Sequence, residues 1–503
     1  MRAFTSFPIG LVVLFAIGCG GGKGGSGGRS GDKPGRSPEE AAASRPAPLL
    51  QRELRVGEPL PAPPERDAPS EGPLALHDPA EEGSYQVVRP VAVFGRPDAE
   101  GEPIGAIKEH SQLPRGRVVQ GKGCSRGFVA LGPEAFVCLA NLKPDSRPPQ
   151  AAREPTVGAN GLTPGTYGYI RTGGAKLYWT LDEALAEKGG TPIAQSDTVR
   201  WAGKRHHGGK MFWRITTGHF IPGDRVRRFW PSKLKGVDLA RDGPKLPLVF
   251  MASRRRRQIG ETIPPVDVHD GPGGAVLSSL PRYSAHGVDQ VAVHGEFRWY
   301  RIPGKGWVSS EMVRLARLTD PPPGLHPEER WIDVDVEEQT LVAYRGRAPL
   351  FAALVATGVW KYPTPIGVFR ITRKVAEADM RSEPSSDETY RVDHVPWTMY
   401  FKGGYALHGA YWHDGFGHAR SHGCINLAPK DARWLYDFAR PLAPLGWTRL
   451  VSSSSRPGTA VRIRGKTLQP KAEAANPSEP RPAPRPDTRP APRPEARGPG
   501  PGP

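Results

Sequence analysis

The sequence predicts a mainly β protein with two unfolded ends, and three observations carry that prediction. Short runs of β-branched and aromatic residues, separated by turn residues, recur from 85 to 145 and from 245 to 316. Trp331-Ile332-Asp333-Val334-Asp335-Val336 alternates apolar with acidic side chains, the period of a half-buried strand. Gly (61) and Pro (57) make up almost a quarter of the 503 residues, close to the range of unfolded segments, so folded domains must alternate with linkers.

The N-terminus reads as a secretion signal. Arg2 supplies positive charge, and Ile9 to Ile17 form an apolar core too short to span a bilayer. The core ends at Ala16-Ile17-Gly18-Cys19, which resembles a bacterial lipoprotein signal (residues 1–19) in which Cys19 becomes the lipidated first residue. An ordinary signal peptide with an incidental cysteine is the alternative. Residues 20–82 are Gly-rich, then Pro-, Ala- and Glu-rich, and read as a disordered tether. Gly20 in place of an acidic residue suggests the periplasmic face of an outer membrane. Residues 466–503, with repeats such as Pro-Ala-Pro-Arg-Pro, form a second disordered segment that favours extended polyproline conformation.

Between these ends the runs fall into modules. In 83–146 they are Tyr85–Val88, Val91–Phe94, Gly116–Gln120, Phe128–Leu131 and Phe136–Leu139, a spacing similar to a small SH3-like barrel. Residues 245–317 repeat the theme: Val266-Asp267-Val268 enters a tight turn at Gly271 to Gly274, and Phe297–Ile302 leads to Gly306-Trp307-Val308, resembling the closing strands of an SH3-like barrel. Residues 160–240, with Tyr167–Arg171 and Phe212–Ile215, read as a β module of uncertain type. In the C-terminal part, Gln339–Tyr344 and Leu350–Thr357 follow as strands, and one helix is expected at about 429 to 439, where Pro429 suits the first turn.

There are four cysteines: Cys19, Cys124, Cys138 and Cys424. An exported chain meets an oxidising compartment, so free thiols need a reason. Cys124 and Cys138 lie on two short strand-like runs and can pair across a hairpin, with two free buried thiols as the alternative. The net charge is +18 and the pI about 9.8. Residues 470–503 hold six basic and four acidic residues, so the charge is spread over the folded middle, in clusters such as Arg254 to Arg257 and Arg225, Arg227 and Arg228. An exported protein rarely meets nucleic acid. A polyanionic wall or membrane surface is the partner this charge favours.

The chemistry concentrates in His408 to Asn426, which ends Ser421-His422-Gly423-Cys424-Ile425-Asn426 and begins with His408-Gly409, sixteen residues before the cysteine. A thiolate nucleophile needs a base to remove its proton and donors to hold an oxyanion. One loop offers both. Gly423 permits a sharp turn, so that amides near Cys424 can point at an oxyanion. His413 and His418 are assigned to shaping the loop. A zinc site from His408, His413, His418 and Cys424 has the right ligand types but no common zinc spacing.

The Ser-His-Gly-Cys-Ile-Asn turn with His-Gly at this distance resembles the catalytic motif of the L,D-transpeptidases, the YkuD-type domains. Pro363-Thr364-Pro365-Ile366-Gly367-Val368-Phe369-Arg370-Ile371 is similar to the family's strand toward the site, Val395–Phe401 to its next strand, and Leu427–Phe438 to the helix after the cysteine. The resemblance covers 328–465. It implies Cys424 as nucleophile and His408 as general base, with His422, Gly423, Ser421, Gly409 and Asn426 supporting the loop, oxyanion or substrate. It implies no metal or organic cofactor. The implied reaction is attack on the third residue of a peptidoglycan stem tetrapeptide, release of D-alanine, and transfer of the thioester to an amine, giving a 3→3 cross-link or attaching a protein to the wall. Donor and acceptor stem peptides, and a membrane reached through the N-terminal lipid, are the implied partners. A thiol-dependent carboxypeptidase or endopeptidase and a non-catalytic wall-binding lipoprotein stay open as alternatives, and so does the oligomeric state.

Overall fold

A computed structural model describes residues 83–241, 243–255, 264–381 and 391–466. The expected signal, the tether with Cys19, and the tail from 467 on lie outside the described residues. What is described is mainly β.

The C-terminal part is built on ten strands: β1 (Arg330–Asp335), β2 (Thr340–Arg345), β3 (Ala348–Ala356), β4 (Gly367–Arg370), β5 (Arg373–Arg381), β6 (Arg391–Lys402), β7 (Tyr405–Gly409), β8 (Ile425–Leu427), β9 (Trp447–Val451) and β10 (Ala460–Arg464), with helix α1 (Pro429–Phe438) after β8. Their order is β4-β10-β1-β2-β3-β8-β7-β6-β5-β9. Two pairs in this series are parallel, β1 with β10 and β7 with β8. Pro429 opens α1 as the composition suggests, and Ala432, Leu435, Tyr436 and Phe438 bury its apolar stripe against Leu407, Ile425, Leu427 and Met399. The buried ammonium of Lys374 donates to the carbonyls of Tyr436, Ala439 and Pro441 at 2.7, 2.7 and 3.0 Å, closing the far end of the helix.

Two expectations need correction here. β1 is buried on both faces, with Asp333 and Asp335 as enclosed as Ile332 and Val334. Arg462 and Arg464 lie across the acidic face at 2.6 to 2.9 Å, and paired carboxylates tolerate burial that lone ones do not. The strand expected over 363–371 is only Gly367–Arg370, because Pro363 and Pro365 each lack the N–H a ladder needs. Residues 357–364 instead form a loop beside the cysteine.

The first module does not stand apart. Its strand Pro103–Ile107 pairs antiparallel with β9, Gly105 opposite Leu450, so the large sheet continues into Val91–Phe94, Ala135–Cys138, Phe128–Gly132 and Val118–Val119. Gly105 is required at this seam: a Cβ there would lie 2.4 Å from the Trp447 ring. Cys124 and Cys138 are disulfide-bonded. Cys124 sits in the turn before its strand, while Cys138 ends the partner strand opposite Phe128. Replacing both with serine is expected to lower stability by about 3 kcal/mol on the chain-entropy account of a loop this long. Denaturant unfolding of the two proteins measures it, and equal midpoints would refute the expectation.

The middle module is a five-stranded sheet, in the order Phe220–Pro222, Lys210–Ile215, Thr198–His207, Thr166–Ile170, Val226–Arg228. The third module carries a five-stranded sheet from Val266 to Ser309 and a three-stranded one that includes Leu248–Phe250. Leu248 and Phe250 pack with Trp331, Val342 and Tyr344 of the C-terminal sheet.

Candidate active site

The site is made by the parallel pairing of β7 and β8. Leu407 stands opposite Ile425, His408 opposite Asn426, and Gly409 opposite Leu427. Side chains alternate across a strand. Leu407, Ile425 and Leu427 turn into the core against α1. Ala406, His408, Cys424 and Asn426 therefore share the other face, His408 one diagonal step from Cys424, a separation that long side chains bridge. Ala406 and Cys424 lie there in an apolar cluster with Tyr411, Val392 and Val395.

Gly423 shapes the turn that brings the cysteine onto this face. Its φ is +112°, and a Cβ would lie 2.3 Å from the Tyr405 ring. Ser421 spans the turn, its hydroxyl donating to the Cys424 carbonyl and accepting from Gly423 N–H at 3.1 Å. The Gly423 amide is thus engaged within the turn. Thr364 ties the turn to its neighbour: Oγ1 donates to Gly423 O and accepts from Gly358 N–H, both at 2.8 Å. Val359 N–H donates to Ser421 O at 2.9 Å. Thr364 carries no chemical signal in sequence beyond its place in the Pro-Thr-Pro run.

Cys424 is fully buried, and its nucleophilic chemistry belongs to the free thiol. Ala406 N–H donates to Sγ at 3.3 Å, a contact that favours developing thiolate charge. His408 is fully buried at the end of β7. Its Nδ1 meets the Gly409 carbonyl at 3.4 Å, which places the ring proton on Nδ1 and makes Nε2 the basic nitrogen. Burial pushes the imidazole down to about 4, with the Gly409 contact pulling weakly the other way. His408 is therefore a neutral acceptor across the physiological range.

The remaining residues take supporting places. His422 is nearly buried and stacks on Tyr362 with ring centroids 4.3 Å apart. Gly409 packs under Trp397 and Pro396. Asn426 meets His413 Nε2 at 3.0 Å, while His413 Nδ1 accepts from Gly415 N–H at 3.1 Å. Burial holds His413 well below its ordinary value, so the ring is neutral with its proton on Nε2. That proton requires the amide oxygen of Asn426 to face the ring. His413 thus braces β8, a role the sequence reading assigned only to the loop. His418 lies half-buried in the same loop. Among the described residues, no three His, Cys, Asp or Glu side chains converge on a common point.

Residues 329–463 match the family model of the L,D-transpeptidase catalytic domain, YkuD. This segment is a YkuD-type L,D-transpeptidase catalytic domain. The chain is similar to a solved cysteine-to-serine mutant of the Enterococcus faecium L,D-transpeptidase, at 22% identity over 30% of this chain and 55% of that one, with a TM-score of 0.23. It is similar to L,D-transpeptidase 3 of Mycobacterium tuberculosis at 18% identity over 32% and 73% of the two chains, TM-score 0.23. The solved catalytic domain of the E. faecium L,D-transpeptidase is covered completely, at 24% identity over 28% of this chain, TM-score 0.22. The chain spans little more than half of the first of these proteins. No curated protein sequence matches it.

Proposed function

We propose that the YkuD-type domain is a cysteine-dependent peptidoglycan L,D-transpeptidase, with Cys424 as nucleophile and His408 as general base. The observation that carries this reading is the β7–β8 register, which sets His408 and Cys424 on one face of a domain matched by the family model. In the reduced enzyme His408 Nε2 takes the thiol proton as Sγ attacks the carbonyl of the third residue of a stem tetrapeptide. The proton passes to the departing D-alanine nitrogen and a thioester remains. An amine of a second stem, or of a protein, gives up a proton to His408 and displaces Sγ. The products are a 3→3 cross-link or a wall-attached protein.

The decisive experiment uses the full chain under mild reductant. A carbapenem should add once, at the Cys424 peptide, and the adduct should vanish in Cys424→Ala. With tetrapeptide donor and saturating amine acceptor, dimer should outweigh tripeptide. Tripeptide in excess would instead establish a carboxypeptidase, and an adduct surviving Cys424→Ala would remove the assigned nucleophile.

The Ala16-Ile17-Gly18-Cys19 signal supports lipid anchoring at the cell envelope, with the SH3-like modules placing the enzyme on wall polymer by analogy. Cys19→Ala should move the protein from membrane to soluble fractions. A wild-type chain already soluble on fractionation would overturn the anchor.

A further inference from the structure

The catalytic face of β7 and β8 does not meet open solvent. Cys424 and His408 have 0% exposure, and the apolar cluster around Cys424 is completed by Tyr167, which belongs to the middle module. The Tyr167 ring stacks on Tyr411 with centroids 3.9 Å apart and planes 10° apart, and Phe229 meets Tyr411 edge-on at 5.7 Å. Polar contacts surround this aromatic seat. Arg200 grips Glu377 of β5 through both carboxylate oxygens at 2.7 and 2.8 Å. Tyr167 Oη donates to the same carboxylate at 3.3 Å. Thr198 Oγ1 accepts from Asp393 N–H at 2.8 Å and lies 3.2 Å from Tyr411 Oη.

Tyr167 and Tyr411 are buried, while the ion pair at the edge of the contact is partly exposed. Arg200 and Glu377 are each about one-fifth exposed, so their pairing is exchangeable with water. The chain on either side is anchored elsewhere. Arg153 pairs with Asp437 before the module, and after it Ser232 donates to Asp414 while Gly236 N–H donates to the buried Asp431. Between anchors and module lie a segment with Gly158, Gly161 and Gly165 on one side and Trp230 and Pro231 on the other, Phe229 still being bonded through its N–H to the Tyr167 carbonyl. Two short connections flanking a rigid sheet are the arrangement of a hinged element.

We propose that the middle module is a cover that closes the catalytic groove, and that substrate reaches Cys424 only when the contact through Tyr167, Thr198 and Arg200 opens. The inference rests on Cys424 being the reacting group, and it assigns the module a regulatory role instead of a purely structural one. Opening exposes the β7–β8 face together with Glu377, Tyr411 and Asp393. The resting enzyme is then held at a low basal rate set by the fraction of open molecules.

The test reads accessibility and chemistry separately. Full-length protein under mild reductant is treated with iodoacetamide, and alkylation of the Cys424 peptide is followed by mass. Tyr167→Ala and Arg200→Glu should each accelerate alkylation by about tenfold, the factor expected if the lost contact is worth one decade in the closing equilibrium. Adding Glu377→Arg to Arg200→Glu should restore slow alkylation, a rescue that general loosening does not produce. Carbapenem acylation should rise in the same variants. Unchanged alkylation in folded Tyr167→Ala and Arg200→Glu proteins overturns the cover, as does failure of the charge-reversed pair to slow the reaction again. Faster alkylation with no carbapenem adduct in any form upholds the cover and rejects the transpeptidase reading.

Discussion

Replacing His408 with alanine should slow acyl-enzyme formation on the order of 10²–10⁴-fold, the usual cost of removing a positioned acid–base group. His422→Ala should cost less. The physical difference lies in placement. His408 stands on β7 across from Asn426, on the face that Cys424 also occupies. His422 precedes the turn glycine and is stacked on Tyr362, so its loss loosens the loop without removing the base. The pH profile offers a second check. The His408 imidazole is pushed down to about 4 by burial, so it is unprotonated and competent above that value. Bound substrate takes the place of the cover over the imidazole and keeps it shielded, so acylation should persist on the acid side below about 6.5, where an exposed histidine would lose it. The measurement is the rate of adduct formation by stopped-flow or quenched mass analysis between pH 3.5 and pH 8, a range set roughly by those two reference values. A dead His422→Ala protein beside a live His408→Ala one would reverse the assignment of the base. An acid limb near 6.5 would contradict the burial argument.

The second large effect is expected at Gly423. An alanine there meets two penalties at once. A φ of +112° is a region that residues with a Cβ rarely adopt, and the new Cβ would sit 2.3 Å from the Tyr405 ring. Relief requires turning the backbone or displacing Tyr405 at the start of β7. Either movement shifts Cys424 relative to His408, and misplacement by about 1 Å costs roughly 10²-fold in rate. Gly423→Ala should thus lose activity on that order, with a lowered melting temperature. Ser421→Ala, which removes the hydroxyl bridging Cys424 O and Gly423 N–H, should show a milder form of the same defect. Full activity in Gly423→Ala would mean the turn does not need this backbone conformation.

Much of this protein was legible in its sequence because the relevant signals are local. Alternation marked the strand at 331–336, the runs Gln339–Tyr344 and Leu350–Thr357 marked its neighbours, the family resemblance marked Val395–Phe401 inside the longer Arg391–Lys402, and Pro429 marked the start of α1. The spacing of His408, Gly423 and Cys424 defined the candidate site before any fold was known. The two hairpin cysteines were close enough in sequence for their pairing to be foreseen, although Cys124 lies in the turn and not on the strand. In each case the determining interaction spans a few residues, and the residue types state it directly.

Only the tertiary structure decided what lies around that site. The Arg200–Glu377 pair joins residues 177 positions apart, and the Tyr167–Tyr411 stack joins two modules. Neither has a local pattern, since an arginine or tyrosine on a half-exposed strand reads the same with or without a distant partner. The burial of Asp333 and Asp335 came from Arg462 and Arg464 on a parallel neighbour, not from the alternation of β1 itself. The fusion of the first module to β9 depended on Gly105 letting Trp447 approach, a fit between surfaces more than 340 residues apart. Sequence periodicity fixes which face of a strand is apolar. Which surface covers that face is set by the summed free energy of long-range packing and pairing, and no single stretch of the chain records it.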